Sequence, residues 1–132
     1  MRYNVKGDPV LREWTGLRQR PEEGRRRWFT DEDMDLIVWY TDDDDIRGFQ
    51  LCYAKQTDQH AVSWFSDGTY SHARVDDGEA GSPLGAKETP ILVQDGVLDA
   101  SSIAEAFRRR AGNVDPEIRE LVYTRVKGFP SR

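Results

Sequence analysis

Residues 34 to 75 divide into four short stretches in which apolar side chains fall on alternate positions, the period of a strand with one buried side. The predicted strands are Asp35 to Tyr40, Arg47 to Lys55, His60 to Phe65 and Thr69 to Val75. Polar turns at Asp42 to Asp45 and Gln56 to Gln59 join the first three. Asp67-Gly68 joins the last two, and both residues tolerate the positive φ of a type I′ hairpin turn. A two-residue loop there pairs Trp64 with Ser71, Val62 with Ala73, Ser63 with His72 and His60 with Val75. Four-residue turns pair Tyr53 with Val62, Cys52 with Ser63 and Leu51 with Trp64, and also Val38 with Phe49 and Leu36 with Leu51. Paired residues share a face. One face then collects Leu36, Val38, Phe49, Leu51, Tyr53, Val62, Trp64, Ala73 and Val75, which suits a core. The other collects Ile37, Trp39, Gln50, Cys52, Ala54, Ala61, Ser63, Phe65, Tyr70, His72 and Arg74.

The apolar face needs a cover, and the C-terminal third supplies one. Residues 76 to 90 read as a long loop, and Ile91, Leu92 and Val93 as a short fifth strand. A helix is predicted from Ala100 to Ala111, with Ser102 and Glu105 as a capping box or Asp99 as the N-cap. Asp115-Pro116 starts a second helix that runs to Lys127 and stops at Gly128. Ile103, Ala104 and Phe107 mark one apolar stripe; Ile118, Leu121, Val122 and Val126 mark the other. The expected fold is α+β: an antiparallel β-meander of four to five strands packed on two C-terminal helices, in two layers. Residues 28 to 132 form this single domain. Ahead of it, residues 1 to 27 are expected to hold a short helix from Asp8 to Leu17 and a linker over 18 to 27, broken by Pro21 and Gly24.

Charge divides the chain in the same place. Of the net charge of −5, residues 1 to 27 carry eight basic groups against four acidic, while the rest carries an excess of acid. The basic segment is expected to lie on its own acidic domain. Nucleic acid, which Arg25, Arg26 and Arg27 would otherwise suggest, is disfavoured because the body repels phosphate. No apolar run reaches the roughly 18 residues of a membrane span, and the first ten residues lack the apolar stretch of a secretion signal. Cys52 is the only cysteine, which removes disulfides and points to a reducing cytosol.

Motifs with defined chemistry are absent. Gly78, Gly81 and Gly85 match neither the dinucleotide nor the P-loop spacing, and no nucleophile elbow occurs, so no cofactor is indicated. The acidic run from Asp42 fails as a calcium loop, with Arg47 and Tyr53 where glycine and glutamate belong. A Cys52–His72 catalytic pair fails on distance: two strand spacings put them roughly 9–10 Å apart. The strand end remains, where His72, Arg74, Asp76, Asp77 and Glu79 cluster beside the long loop. That cluster is the catalytic candidate, although its spacing matches no metal-ligand pattern and no metal is assigned. The binding candidate is the second sheet face, through Trp39, Gln50, Cys52, Ser63, Phe65, Tyr70, His72 and Arg74.

The strings Arg26-Arg27-Trp28-Phe29, Gly48-Phe49-Gln50-Leu51-Cys52-Tyr53 and His72-Ala73-Arg74-Val75-Asp76-Asp77-Gly78-Glu79 resemble a family of small uncharacterised bacterial proteins, over roughly residues 26 to 125. The resemblance implies a bacterial, cytosolic, single-domain protein and carries no activity. The expected function is therefore a non-enzymatic binding module. Its partner would be a protein, a second copy of the chain or a small ligand, held on the mixed face and the 76–90 loop. The alternatives are a small enzyme on a polar or anionic metabolite, with His72 as acid/base, and a nucleic-acid regulator using the Arg-rich N-terminus.

Overall fold

Local pairing dominates the architecture. A computed structural model describes residues 10–16, 24–76, 91–94 and 98–130. Among the described residues, seven strands form one antiparallel sheet in strict chain order: β1 Arg12–Glu13, β2 Arg26–Thr30, β3 Asp35–Tyr40, β4 Ile46–Tyr53, β5 His60–Phe65, β6 Tyr70–Asp76 and β7 Ile91–Gln94. Two helices follow, α1 Ala100–Arg109 and α2 Pro116–Lys127. The α+β meander with two C-terminal helices is as expected, with more strands. The additions are β1, from residues expected to be helix, and β2, which joins the end of the expected linker to the start of the domain. Leu11 is fully buried, and Arg12 and Glu13 pair with Thr30 and Phe29. No helix forms over residues 10–16.

Both helices begin as their sequences direct. Asp99 is the N-cap of α1, its carboxylate accepting from the Ser102 amide at 3.3 Å and the Ser102 hydroxyl at 2.9 Å. Pro116 opens α2 behind Asp115, and Ile118, Val122 and Val126 give it a buried stripe. That stripe, with Ala104 and Phe107 of α1, packs on Phe29, Leu36, Val38, Phe49, Leu51, Val62 and Trp64. Each such fully buried side chain contributes about 1.5–3 kcal/mol by leaving water.

Two registers differ from expectation, with unequal consequences. The β4–β5 turn is two residues longer, so Tyr53 faces His60, Leu51 faces Val62 and Cys52 faces Ala61. A shift of two keeps every side chain on its predicted face. The β5–β6 loop is three residues instead of two. Phe65 and Thr69 close it, the Gly68 amide donates to the Phe65 carbonyl at 2.8 Å, and only Gly68 of the expected pair has positive φ, at 93°. This is a turn over Ser66 and Asp67 followed by a left-handed glycine, the common three-residue hairpin. Asp67 fixes it by accepting from the Thr69 amide and hydroxyl at 3.0 and 2.6 Å. Trp64 consequently pairs with Tyr70, Val62 with His72, Ser63 with Ser71 and His60 with Arg74. One extra loop residue turns all of β6 over. Tyr70, His72 and Arg74 stand on the helix side, and Ala73 and Val75 on the outer side, the reverse of the expected arrangement.

Two arginines of the basic segment are tied to the body. Arg27 bonds Glu13 at 2.7 and 2.9 Å and Asp115 at 2.9 Å, and Arg25 bonds Asp44 at 3.1 Å while lying 4.0 Å over the Tyr40 ring. The Arg27 hydrogen bond holds the Glu13 carboxyl below its ordinary 4.5, against the opposing effect of burial. A lowered carboxyl contributes stability above its unfolded value and loses it as pH falls through the folded one. Between about pH 5 and pH 3, the unfolding midpoint of Glu13→Gln is therefore expected to fall less than that of the native chain.

Candidate functional site

The outer sheet face consists of rows that cross the strands. One row reads Arg26, Trp39, Gly48, Phe65; the next reads Trp28, Ile37, Gln50, Ser63, Ser71; the third reads Thr30, Asp35, Cys52, Ala61, Ala73. Trp39 and Phe65 lean together across Gly48 with ring centroids 5.9 Å apart. Trp14, just beyond β1, meets Trp28 edge-on at 5.6 Å. Trp14 is 51% exposed, and Trp28, Trp39 and Phe65 are half-buried. The second and third rows are more closed, with Ile37, Ser63, Cys52, Ala61 and Ala73 buried. The accessible part of this face is thus the aromatic end near β1 to β3 and the start of the β5–β6 loop. Its opposite end is polar: Thr30 donates to Asp35 at 2.6 Å and Lys55 bonds the same carboxylate at 2.8 Å.

Of the predicted binding residues, Trp39, Gln50, Cys52, Ser63 and Phe65 lie together on this face. Tyr70, His72 and Arg74 do not, owing to the β5–β6 loop. Cys52 and His72 therefore have the sheet between them, and Ser63 cannot meet His72. Burial pushes the Cys52 thiol up; the Gln50 side chain, 3.5 Å from sulfur, pulls it down, and Asp35 adds a further upward push. The thiol form is held, which is wrong for a thiolate nucleophile.

His72 instead joins a cluster on the helix side. Its Nε2 lies 2.6 Å from the Tyr53 hydroxyl. Its ring stacks on His60 with centroids 5.3 Å apart and 17° between planes, and Phe129 meets it edge-on at 6.3 Å. Phe129 also packs edge-on against Tyr70 at 5.2 Å. Arg74 is exposed. Asp76 ends β6 opposite Ile91; its side chain, Asp77 and Glu79 fall outside the described residues, as does the 76–90 loop beyond Asp76. Among the described residues, no group of three or more His, Cys, Asp or Glu is placed to hold a metal ion, and no helix is long and apolar enough to cross a membrane.

Trp14 and Trp28 on the outer face and His60 on the inner were not among the expected site residues; nor was Tyr53, although alternation had placed it on the inner face. A strand reading of Arg26 to Thr30 would have found Trp28, since Arg26, Trp28 and Thr30 alternate with Arg27 and Phe29. Comparison with protein-family profiles, with curated proteins and with solved structures finds no match. The two side-chain groupings, aromatic outside and imidazole inside, are the basis for a functional reading.

Proposed function

We propose that the chain is a non-enzymatic binding module that seats apolar side chains of a partner polypeptide on Trp14, Trp28, Trp39 and Phe65. The observation that carries this reading is the half-exposed Trp14, paired edge-on with Trp28 on the same sheet face as the Trp39–Phe65 pair and opposite both helices. Rigid aromatic rings lose little side-chain entropy on contact, and tryptophan is enriched at the centres of interfaces. Reactive alternatives have less support. The single thiol is buried and kept protonated, and the His72 ring lies beneath Phe129. Arg25 and Arg27 are engaged with the protein's own carboxylates, which leaves nucleic acid the weaker partner.

An environment-sensitive apolar dye tests the reading. Anilinonaphthalene sulfonate added to the native protein is expected to brighten and shift to the blue. The change should disappear in a Trp39→Ser, Phe65→Ser double variant whose far-ultraviolet circular dichroism is unaltered. Native protein that leaves the dye dark would mean the strip is closed, and the proposal would be withdrawn.

A further inference from the structure

We propose that the partner segment is an extended basic peptide: the stem of a lysine or arginine crosses the Trp39–Phe65 pair, and an apolar residue about four positions away sits on Trp14 and Trp28. The inference rests on the polypeptide reading above and adds the chemistry of the occupant. The two aromatic pairs do not lie on one line across the sheet. Trp14 and Trp28 share the second row, at the β1–β2 edge, while Trp39 and Phe65 share the first row, astride β4. The pairs are separated by about two and a half strand spacings and one row, or roughly 14 Å on a diagonal. An extended chain covers that distance in about four residues.

Charge distinguishes one end of that diagonal. The first row lies where β3 turns into β4 and β5 into β6. Those two connections carry Asp42, Asp43, Asp44, Asp45 and Asp67, all exposed. The described basic groups at the same end are Arg25, Arg26 and Arg47, and Arg25 is committed to Asp44 at 3.1 Å. Five carboxylates thus stand against three guanidinium groups. Residues 17–23, which link β1 to β2, hold two arginines and two glutamates and leave the balance unchanged. The β3–β4 turn does not need its acids for its shape. The Thr41 hydroxyl accepts from the Asp43 and Asp45 amides at 3.1 Å each, and the Thr41 amide donates to the Asp45 carbonyl at 2.8 Å.

A lysine or arginine side chain suits both features at once. Its methylene stem packs on apolar surface while its head stays in water. The head is drawn to aromatic faces and to carboxylates alike. The protein already makes such a contact within itself: Arg25 lies 4.0 Å over the Tyr40 ring with its guanidinium on Asp44. An acidic peptide would meet like charge at this end of the sheet.

Indole N–H resonances test this, because three of the four tryptophans lie on the outer face and the fourth, Trp64, is buried on the inner. The probe is a capped glycine–serine peptide carrying one leucine and one lysine four positions apart. Its control carries glutamate in place of the lysine. The lysine peptide is expected to shift the indoles of Trp14, Trp28 and Trp39 but not that of Trp64. At low salt it should bind about tenfold more tightly than the glutamate peptide. Asp42→Asn, Asp43→Asn and Asp45→Asn together should remove most of that preference while circular dichroism stays unaltered. Equal affinity for the two peptides overturns the inference and leaves the aromatic docking reading standing. A preference retained in full by the triple variant does the same. Outer indoles unmoved by the lysine peptide, in protein that still brightens the apolar dye, overturn it too. A doubled mass in sedimentation, with the outer indoles shifting on dilution, would assign the face to a second copy and overturn it equally.

Discussion

An Asp31→Ala variant is expected to lose about 3 kcal/mol of stability, the scale for removing one partner of a buried ion pair. For a chain of this size that lowers the melting midpoint by about 10 °C. The side chain is 5% exposed and serves two purposes. Its Oδ1 accepts from the Asp33 and Met34 amides at 2.7 and 2.8 Å, which shapes the β2–β3 turn. Its Oδ2 lies 3.4 Å from Arg110 Nε, at the C-cap of α1. The Arg110 carbonyl in turn accepts from the Leu11 amide at 2.9 Å. The carboxylate joins the β2–β3 turn to the end of α1, and Arg110 in turn holds the run into β1. Arg110→Met keeps the stem and leaves both turn bonds in place, so its cost is expected to be about 1–2 kcal/mol. Urea titrations of the two variants check the order. Equal losses would show that the guanidinium contact, and not the turn, is what Asp31 contributes.

Gly48→Ala is expected to destabilise the protein by about 2 kcal/mol, the scale of an overpacked core. The sign is the informative part, because alanine in a strand interior ordinarily gains about 0.5–1 kcal/mol over glycine. Here a Cβ would lie 2.7 Å from Phe65 Cε1, closer still to Phe65 Cδ1, and 2.7 Å from the Trp64 carbonyl oxygen. Gly48 sits between Trp39 and Phe65 in its row, and the Phe65 ring fills the space that its missing side chain leaves. Adding Phe65→Ala removes the ring clash but not the carbonyl clash. The double variant is therefore expected to recover part of the loss, with a coupling of about 1 kcal/mol. Thermal unfolding of the two singles and the double closes the cycle. Additive losses would mean that the ring moves aside at no cost.

The inner face of β3, β4 and β5 was legible because its alternation survives any even change in turn length. The β4–β5 turn did differ by two residues, and Val62 and Trp64 still reached the core. The β5–β6 loop differed by one, and parity was lost for a whole strand. Asp67-Gly68 suits two loop geometries, and the choice between them depends on bonds Asp67 makes to Thr69, which alternation does not encode. Strand β2 was hidden for a different reason. Phe29 is its one fully buried residue, and its arginines read as a solvated linker. Their partners, Glu13 and Asp115, lie far away in sequence, so the pairing that makes Arg27 a strand residue is visible only in three dimensions. The helices were read almost to the residue, since caps and stripes are local signals. The grouping of the candidate site changed most: Trp39, Gln50, Cys52, Ser63 and Phe65 share the outer face, while Tyr70, His72 and Arg74 lie on the other.

Strand order has a bearing on biosynthesis. Every strand pairs with its neighbour in the chain, so each hairpin can close as soon as it leaves the ribosome. The helices that shield the greasy side of those hairpins are translated afterwards. A nascent chain halted after β5 and before residue 100 would display Leu36, Phe49, Leu51 and Val62 without their cover, a sticky template for neighbours on the same message. Slow codons placed between the sheet and the helices should therefore lower soluble yield more than slow codons placed after them.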